Sequence, residues 1–365
     1  MDANPDILRN VVLEDDVFPP REFTAAEIDQ FAIQFYAKKC EQYHEDPKAF
    51  AAFIFNINGA MHLASFASSP NDNTDRGKLT SSKHKDQIMH ANPLVLVRRG
   101  LIRFLINEIH KVENQNGSAI LQYTEEGEMQ MKTTCQLYLY STFSYVCENV
   151  YWGMEEMKGH DTNHCIMNKI RRWVALGVQG ALLSNLINPI YIEKFVLGST
   201  PPLPIDDVWR LLFSKLQFQD RDCPRLEAIP VSIRRPSPIV THNRTFVWVS
   251  HLNRLEVLAK TGKLELEGNG SSICKEEIFK AYIQLDSANK SVLKYSRAKK
   301  KAGHYQACKK LLYKQWESEN NGKWHHKPSN KVDKFWVQVK KEKTEHQFLH
   351  HALGLTVDTV LIKNL

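Results

Sequence analysis

The chain has 365 residues, 42% of them hydrophobic and 24% charged, enough to bury a large core as one domain or two. Seven cysteines without a CxxC pair exclude a disulfide framework and a ribbon-type zinc site, and predict reduced core thiols. No run of eighteen apolar residues occurs, and the acidic opening MDANPDILRNVVLEDD lacks the basic and apolar parts of a secretory leader. The expectation is therefore an intracellular protein, in nucleus or cytoplasm, with no membrane partner. The net charge of +7 is uneven: Lys294 to Lys314 holds eight Lys or Arg and no acid, which points to an anionic partner or to a solvated helix face.

In chain order, Thr24-Ala25-Ala26-Glu27 reads as a capping box in front of a helix over about 25–44. Ala49 to Ile57 and Met61 to Phe66, separated by Asn58-Gly59-Ala60, predict a strand pair with a tight turn. Ser68 to Gln87 is a loop by composition. Pro93 suits the first turn of a helix carrying the stripe Leu94, Val97, Leu101, Leu105 and Ile109, with Arg98 and Arg99 inside it. After a turn over Asn114 to Ser118, Thr134 to Ser144 predicts a buried strand.

Lys169 to Ser199, KIRRWVALGVQGALLSNLINPIYIEKFVLGS, places Lys169, Arg172 and Trp173 beside the apolar run from Val174. Burying lone cations is costly, so a strongly anionic group is expected to meet them. The spacing predicts a helix to about Leu186, ended at Pro189, and a strand from Ile190 to Leu197. A Pro-rich linker then precedes a helix from Asp206 to Leu216. A hairpin follows over Thr245 to Ser250 and Arg254 to Leu258, then helices over Cys274 to Tyr282 and His304 to Trp316.

Three blocks carry a resemblance. The stretch from Lys169 fits KxxRWxxxGxQGxLLS followed by PIY and LGS, VRRGLIRFL follows His90-Ala91-Asn92, and KYSRAKKKAGHYQACKKLLYKQWESENNGKWHHKP comes later in the same order. Over about 45–335 the chain resembles the deaminase domain of adenosine deaminases acting on RNA. The resemblance implies an α/β fold (α+β, three-layer): a cytidine-deaminase-like mixed sheet flanked by helices, with a C-terminal helical part. It implies an N-terminal segment over 1–23, an A-to-I editase-like domain over 24–340, and a tail over 341–365.

In that family a His, two Cys and a Glu build the site: zinc lowers the pKa of a bound water, and the Glu moves the proton as hydroxide attacks adenine. Here the family's HAE reads His90-Ala91-Asn92, and an amide has no titratable proton near neutral pH. A gapless match to Arg98 and Arg99 instead sets Asn92 at the His and Leu94 at the Glu; the Glu is missing in both registers. The two Cys positions read Tyr145 and Ile166, and neither side chain binds zinc. The segment between them is short, Val146 to Cys165, so the family's base-flipping loop is expected to be absent. Candidates for a rebuilt His/Cys site are His90, Cys147, His164 and Cys165, with His160 nearby; zinc is nevertheless not expected.

The family also encloses inositol hexakisphosphate. By resemblance, its holders here are Arg98, Arg99, Lys169, Arg172, Trp173, Gln179, Lys275, Tyr295, Lys299, Lys309, Trp324 and Lys327. Two positions depart from the pattern, Ala181 for a Ser and His326 for a Glu. Charge-assisted bonds to phosphate are what make such a cluster of cations favourable inside a fold.

The leading expectation is a catalytically inactive member, similar to the testis nuclear RNA-binding protein group, that binds double-stranded RNA or regulates adenosine-to-inosine editing. Alternatives are a protein-interaction subunit pairing with an active RNA deaminase or another protein without RNA contact, motivated by the apolar tail Glu345 to Leu365, and an active deaminase with a rebuilt zinc site.

Overall fold

The computed structural model describes residues 21–43, 49–69, 85–88, 91–142, 166–199, 205–214, 216, 224–230, 244–259, 261–285, 294–318, 335 and 337. Seven strands form a mixed sheet in the order β7-β6-β5-β1-β2-β8-β9. They are β1 (Ala49–Ile57), β2 (Ala60–Ser69), β5 (Cys135–Thr142), β6 (Lys194–Ser199), β7 (Arg225–Pro230), β8 (Thr245–Val249) and β9 (Arg254–Leu258). The pairs from β5 through β1, β2 and β8 to β9 are antiparallel, while β5–β6 and β6–β7 are parallel. A two-stranded ribbon, β3 (Leu121–Tyr123) and β4 (Met129–Met131), lies apart from this sheet. The sheet between helices is the mixed α/β architecture expected from the sequence.

Strand β1, AFAAFIFNI, is apolar on both faces because both faces are covered. Ala51, Phe53 and Phe55 enter one core with α2 (Pro93–Glu113), whereas Phe50, Ala52 and Ile54 enter a second core with α1 (Ala25–Cys40). The turn into β2 has Asn58 and Gly59 at φ 51° and 81°, the left-handed pair that matches strand twist in a two-residue hairpin. Helix α1 starts on the expected capping box, with Thr24 and Glu27 bonding each other's backbone N–H. Helix α2 lies close on β2: a Cβ at Gly100 would stand 2.7 Å from that of Ser65, whose hydroxyl donates to the Val97 carbonyl at 2.9 Å.

The stretch from Lys169 departs from expectation. Its helix α3 (Ile166–Leu176) stops at Gly177, which adopts φ +83°, and only a short α4 (Gly180–Leu183) follows, with Gly180 at φ +66°. Two left-handed glycines break what the apolar spacing alone reads as continuous. The strand also starts later, at Lys194, because residues 188 and 190 bond elsewhere first: Val178 N–H donates to the Ile190 carbonyl at 2.8 Å and Asn188 N–H to that of Met129 at 2.8 Å. The remaining helices are α5 (Ile205–Phe213), α6 (Lys275–Tyr282), α7 (Tyr295–Lys300) and α8 (Gly303–Ser318). Helix α7 and the strands β3, β4 and β7 were not foreseen as elements. Among the described residues, no helix is long and apolar enough to cross a membrane.

Candidate polyanion site and candidate deaminase positions

The cations singled out from sequence converge where α2, α3, α7 and α8 meet. Arg98 of α2 donates from Nε to the Val178 carbonyl at 3.0 Å, and its guanidinium lies 5.8 Å from the Trp173 ring centre. Gly180, at φ +66°, packs against that guanidinium, and a Cβ there would stand 2.1 Å from the Arg98 Nη2. Burial pushes the Arg98 pKa down to about 10, with Arg172 and Arg99 adding to the fall and the Tyr305 and Tyr295 phenols opposing it. Arg172 of α3 donates from Nη1 to the Tyr313 hydroxyl at 3.4 Å. Burial works against its charge, but the Tyr305 and Tyr313 phenols outweigh that, so its pKa lies above the ordinary value.

Lys309 on α8 completes the cluster. Burial, then Arg172 and Lys299, push its pKa down to about 8. Lys309 and Lys299 lie over the rings of Tyr313 and Tyr295 at 5.5 and 5.0 Å, and Tyr295 stacks on Phe335 at 5.1 Å. Three of these cations, Arg98, Arg172 and Lys309, make no ion pair with a carboxylate among the described residues. Mutually repelling, half-buried cations with aromatic walls are an arrangement that a compact polyanion would stabilise.

Other expected holders divide. Lys169 is half-buried one turn before Arg172 and Trp173 on α3, and Lys275 opens α6, also half-buried. Arg99 donates to the Ile273 carbonyl at 3.4 Å. The Gln179 amide instead braces its own turn: Nε2 donates to the Leu176 carbonyl at 3.0 Å and the Ser184 hydroxyl at 3.1 Å, while Oε1 accepts from Ile190 N–H at 3.1 Å. Trp324 and Lys327 lie outside the described residues. Sequence reasoning missed Tyr305 and Tyr313. Their signal was present, since they stand four residues before and after Lys309 and so share its face of α8.

At the positions that the resemblance sets at a deaminase centre, Asn92 is 1% exposed and caps α2, its Oδ1 accepting from Leu94 N–H at 2.9 Å. Ile166 opens α3 and is packed into the main core at 7% exposure. These two side chains do not fit zinc: one is an amide oxygen already bonded to backbone, the other a hydrocarbon. His90, Tyr145, Cys147, His160, His164 and Cys165 lie outside the described residues.

Comparison with known families places this arrangement. Residues 164–328 match the sequence model of the adenosine-deaminase (editase) domain. This part of the chain is similar to the editase domain family. The chain is 27% identical over 175 residues to the double-stranded RNA-specific editase Adar of Drosophila melanogaster, covering 44% of the chain and 25% of that relative. It is 27% identical over 195 residues to the double-stranded RNA-specific editase B2 of Mus musculus, covering 47% and 25%. A longer match, 24% identical over 315 residues, is to the double-stranded RNA-specific adenosine deaminase of Mus musculus, covering 67% and 27%. The chain thus spans about a quarter of the length of these relatives. Within the matched residues lie Ile166, Arg172 and Lys309, so the buried hydrocarbon and two of the clustered cations fall in one matched segment.

Proposed function

We propose that this chain is a catalytically silent editase domain that encloses inositol hexakisphosphate and acts in double-stranded RNA binding or in the regulation of adenosine-to-inosine editing. The observation that carries the reading is Ile166. Lys169 sets the register of the KxxRW stretch, and three residues earlier, where the resemblance puts a zinc ligand, an apolar side chain is buried in the core. With Asn92 engaged as a helix cap and no carboxylate beside it in sequence, the described positions supply neither a metal ligand nor a proton carrier.

The polyanion half of the reading rests on Arg98, Arg172 and Lys309, whose buried charges repel one another and gain from six phosphates held between them. The RNA half rests on the relatives, which are named as double-stranded RNA-specific, and on the net charge of +7. Incubation of the purified chain with duplex RNA, followed by nuclease digestion and nucleoside mass spectrometry, tests the chemistry. No inosine above background is expected, and inosine formed in proportion to protein would overturn the silence. Native mass spectrometry tests the ligand: a bound mass matching inositol hexakisphosphate is expected, and its absence from folded protein would remove that part.

A further inference from the structure

Helices α7 and α8 carry two populations of cations. Lys299 and Lys309 turn inward to the cluster described above, whereas Arg297, Lys300, Lys301, Lys310 and Lys314 are exposed. None of these five makes an ion pair with a carboxylate among the described residues. Elsewhere several exposed cations are paired, as in Arg21–Glu27, Arg210–Asp207 and Arg244–Glu265. The only acid between Tyr295 and Ser318 is Glu317, at the end of α8. Like charges grouped without counter-charges are costly to keep unless a partner supplies them.

We infer that the outer face of α7 and α8 is a contact surface for the phosphate backbone of a nucleic-acid duplex. The proposal rests on the RNA-binding reading above and names the residues that would carry it. Lys310 and Lys314 stand one turn apart, about 6 Å along the α8 axis, and present two cations in line. The face shows Leu311, 65% exposed, as its one large apolar side chain, and no exposed Phe, Tyr or Trp. Single strands are held by bases stacked on such rings, so a surface without them suits a duplex. A protein partner fits less well, because interface cores are depleted in lysine and built around aromatic anchors.

The test compares the whole chain with a variant carrying Lys300→Ala, Lys301→Ala, Lys310→Ala and Lys314→Ala, using duplex RNA at several salt concentrations. Alanine keeps exposed helix positions folded. Lys38→Ala, an exposed position on α1 across the sheet, is the control. The expected result is a loss of at least about tenfold in affinity at 100 mM salt and a salt slope shallower by about 2 to 4, with the control unchanged. Wild-type binding that survives the four substitutions, or falls equally in the control, overturns the surface but leaves RNA binding intact. Absence of wild-type binding removes the RNA reading itself. Competition by poly-glutamate as effective as by duplex RNA would overturn the phosphate-backbone assignment.

Discussion

Lys309 ties the proposed ligand to pH more directly than any other residue. Burial, Arg172 and Lys299 hold its pKa at about 8, below the ordinary lysine value of 10.5. Between those two values the unfolded chain binds the proton and the folded chain without an anion does not, so the ligand-free protein gains stability as pH rises through that window. A bound polyanion favours the charged ammonium, so anion binding takes up a proton above about pH 8 and weakens as pH climbs. The thermal shift produced by inositol hexakisphosphate is therefore expected to be larger at pH 7 than at pH 9, with a smaller difference in Lys309→Gln. The variant separates the lysine from the ligand's own titration, and the same pH dependence in both proteins would sink the assignment.

At the scale of elements, what could be read in advance was whatever depends on neighbours in sequence. The capping box of α1, the Asn58-Gly59 turn and Pro93 at the start of α2 are local chemistry, and the structure has each where the spacing puts it. Asn92 is the same kind of signal, an N-cap ahead of a proline at N1, although family resemblance drew attention to it as a lost catalytic position. Asn92→Ala is accordingly expected to cost about 1 kcal/mol of stability in urea unfolding, with Asn92→Asp retaining most of it. An equal loss in both variants would deny the cap. What could not be read depends on contacts made elsewhere. The break after Leu176 turns on two glycines whose apolar neighbours kept a helical period, and on a Gln179 amide held by Leu176, Ser184 and Ile190. Strand β7 is defined by its partner β6, and the ribbon β3–β4 has only three residues a side, too few for periodicity to register. At the candidate site the clustered Lys and Arg were visible as types, while the roles of Tyr305 and Tyr313 emerged only once α8 was set against α3.

Across the whole molecule, one sheet separates two cores, and the start of the described chain is fastened to its parallel end by a buried lysine. Lys194, 3% exposed at the head of β6, donates to the Phe23 carbonyl at 2.8 Å and pairs with Glu22 at 3.2 Å and Glu227 at 2.9 Å. Arg225 pairs with the same Glu22, and Asn56 of β1 donates to the Arg21 carbonyl at 2.7 Å, so residues 21–23 are bonded to three strands. The entry of α1, which supplies the second core, is thus set by polar bonds rather than by its apolar face alone. The carboxylates keep partial access to water, which limits the cost of leaving them unpaired, but the Phe23 carbonyl would lose a donor in a buried place. Lys194→Ala is expected to lower stability by about 2–3 kcal/mol and to speed proteolysis near residue 21. Lys194→Met, which restores the stem but not the charge, is expected to recover packing while leaving that cleavage fast. An unchanged urea midpoint and digestion rate in Lys194→Ala would mean that α1 is held on the sheet by its buried side chains Ile28, Ala32 and Tyr36 without this strap.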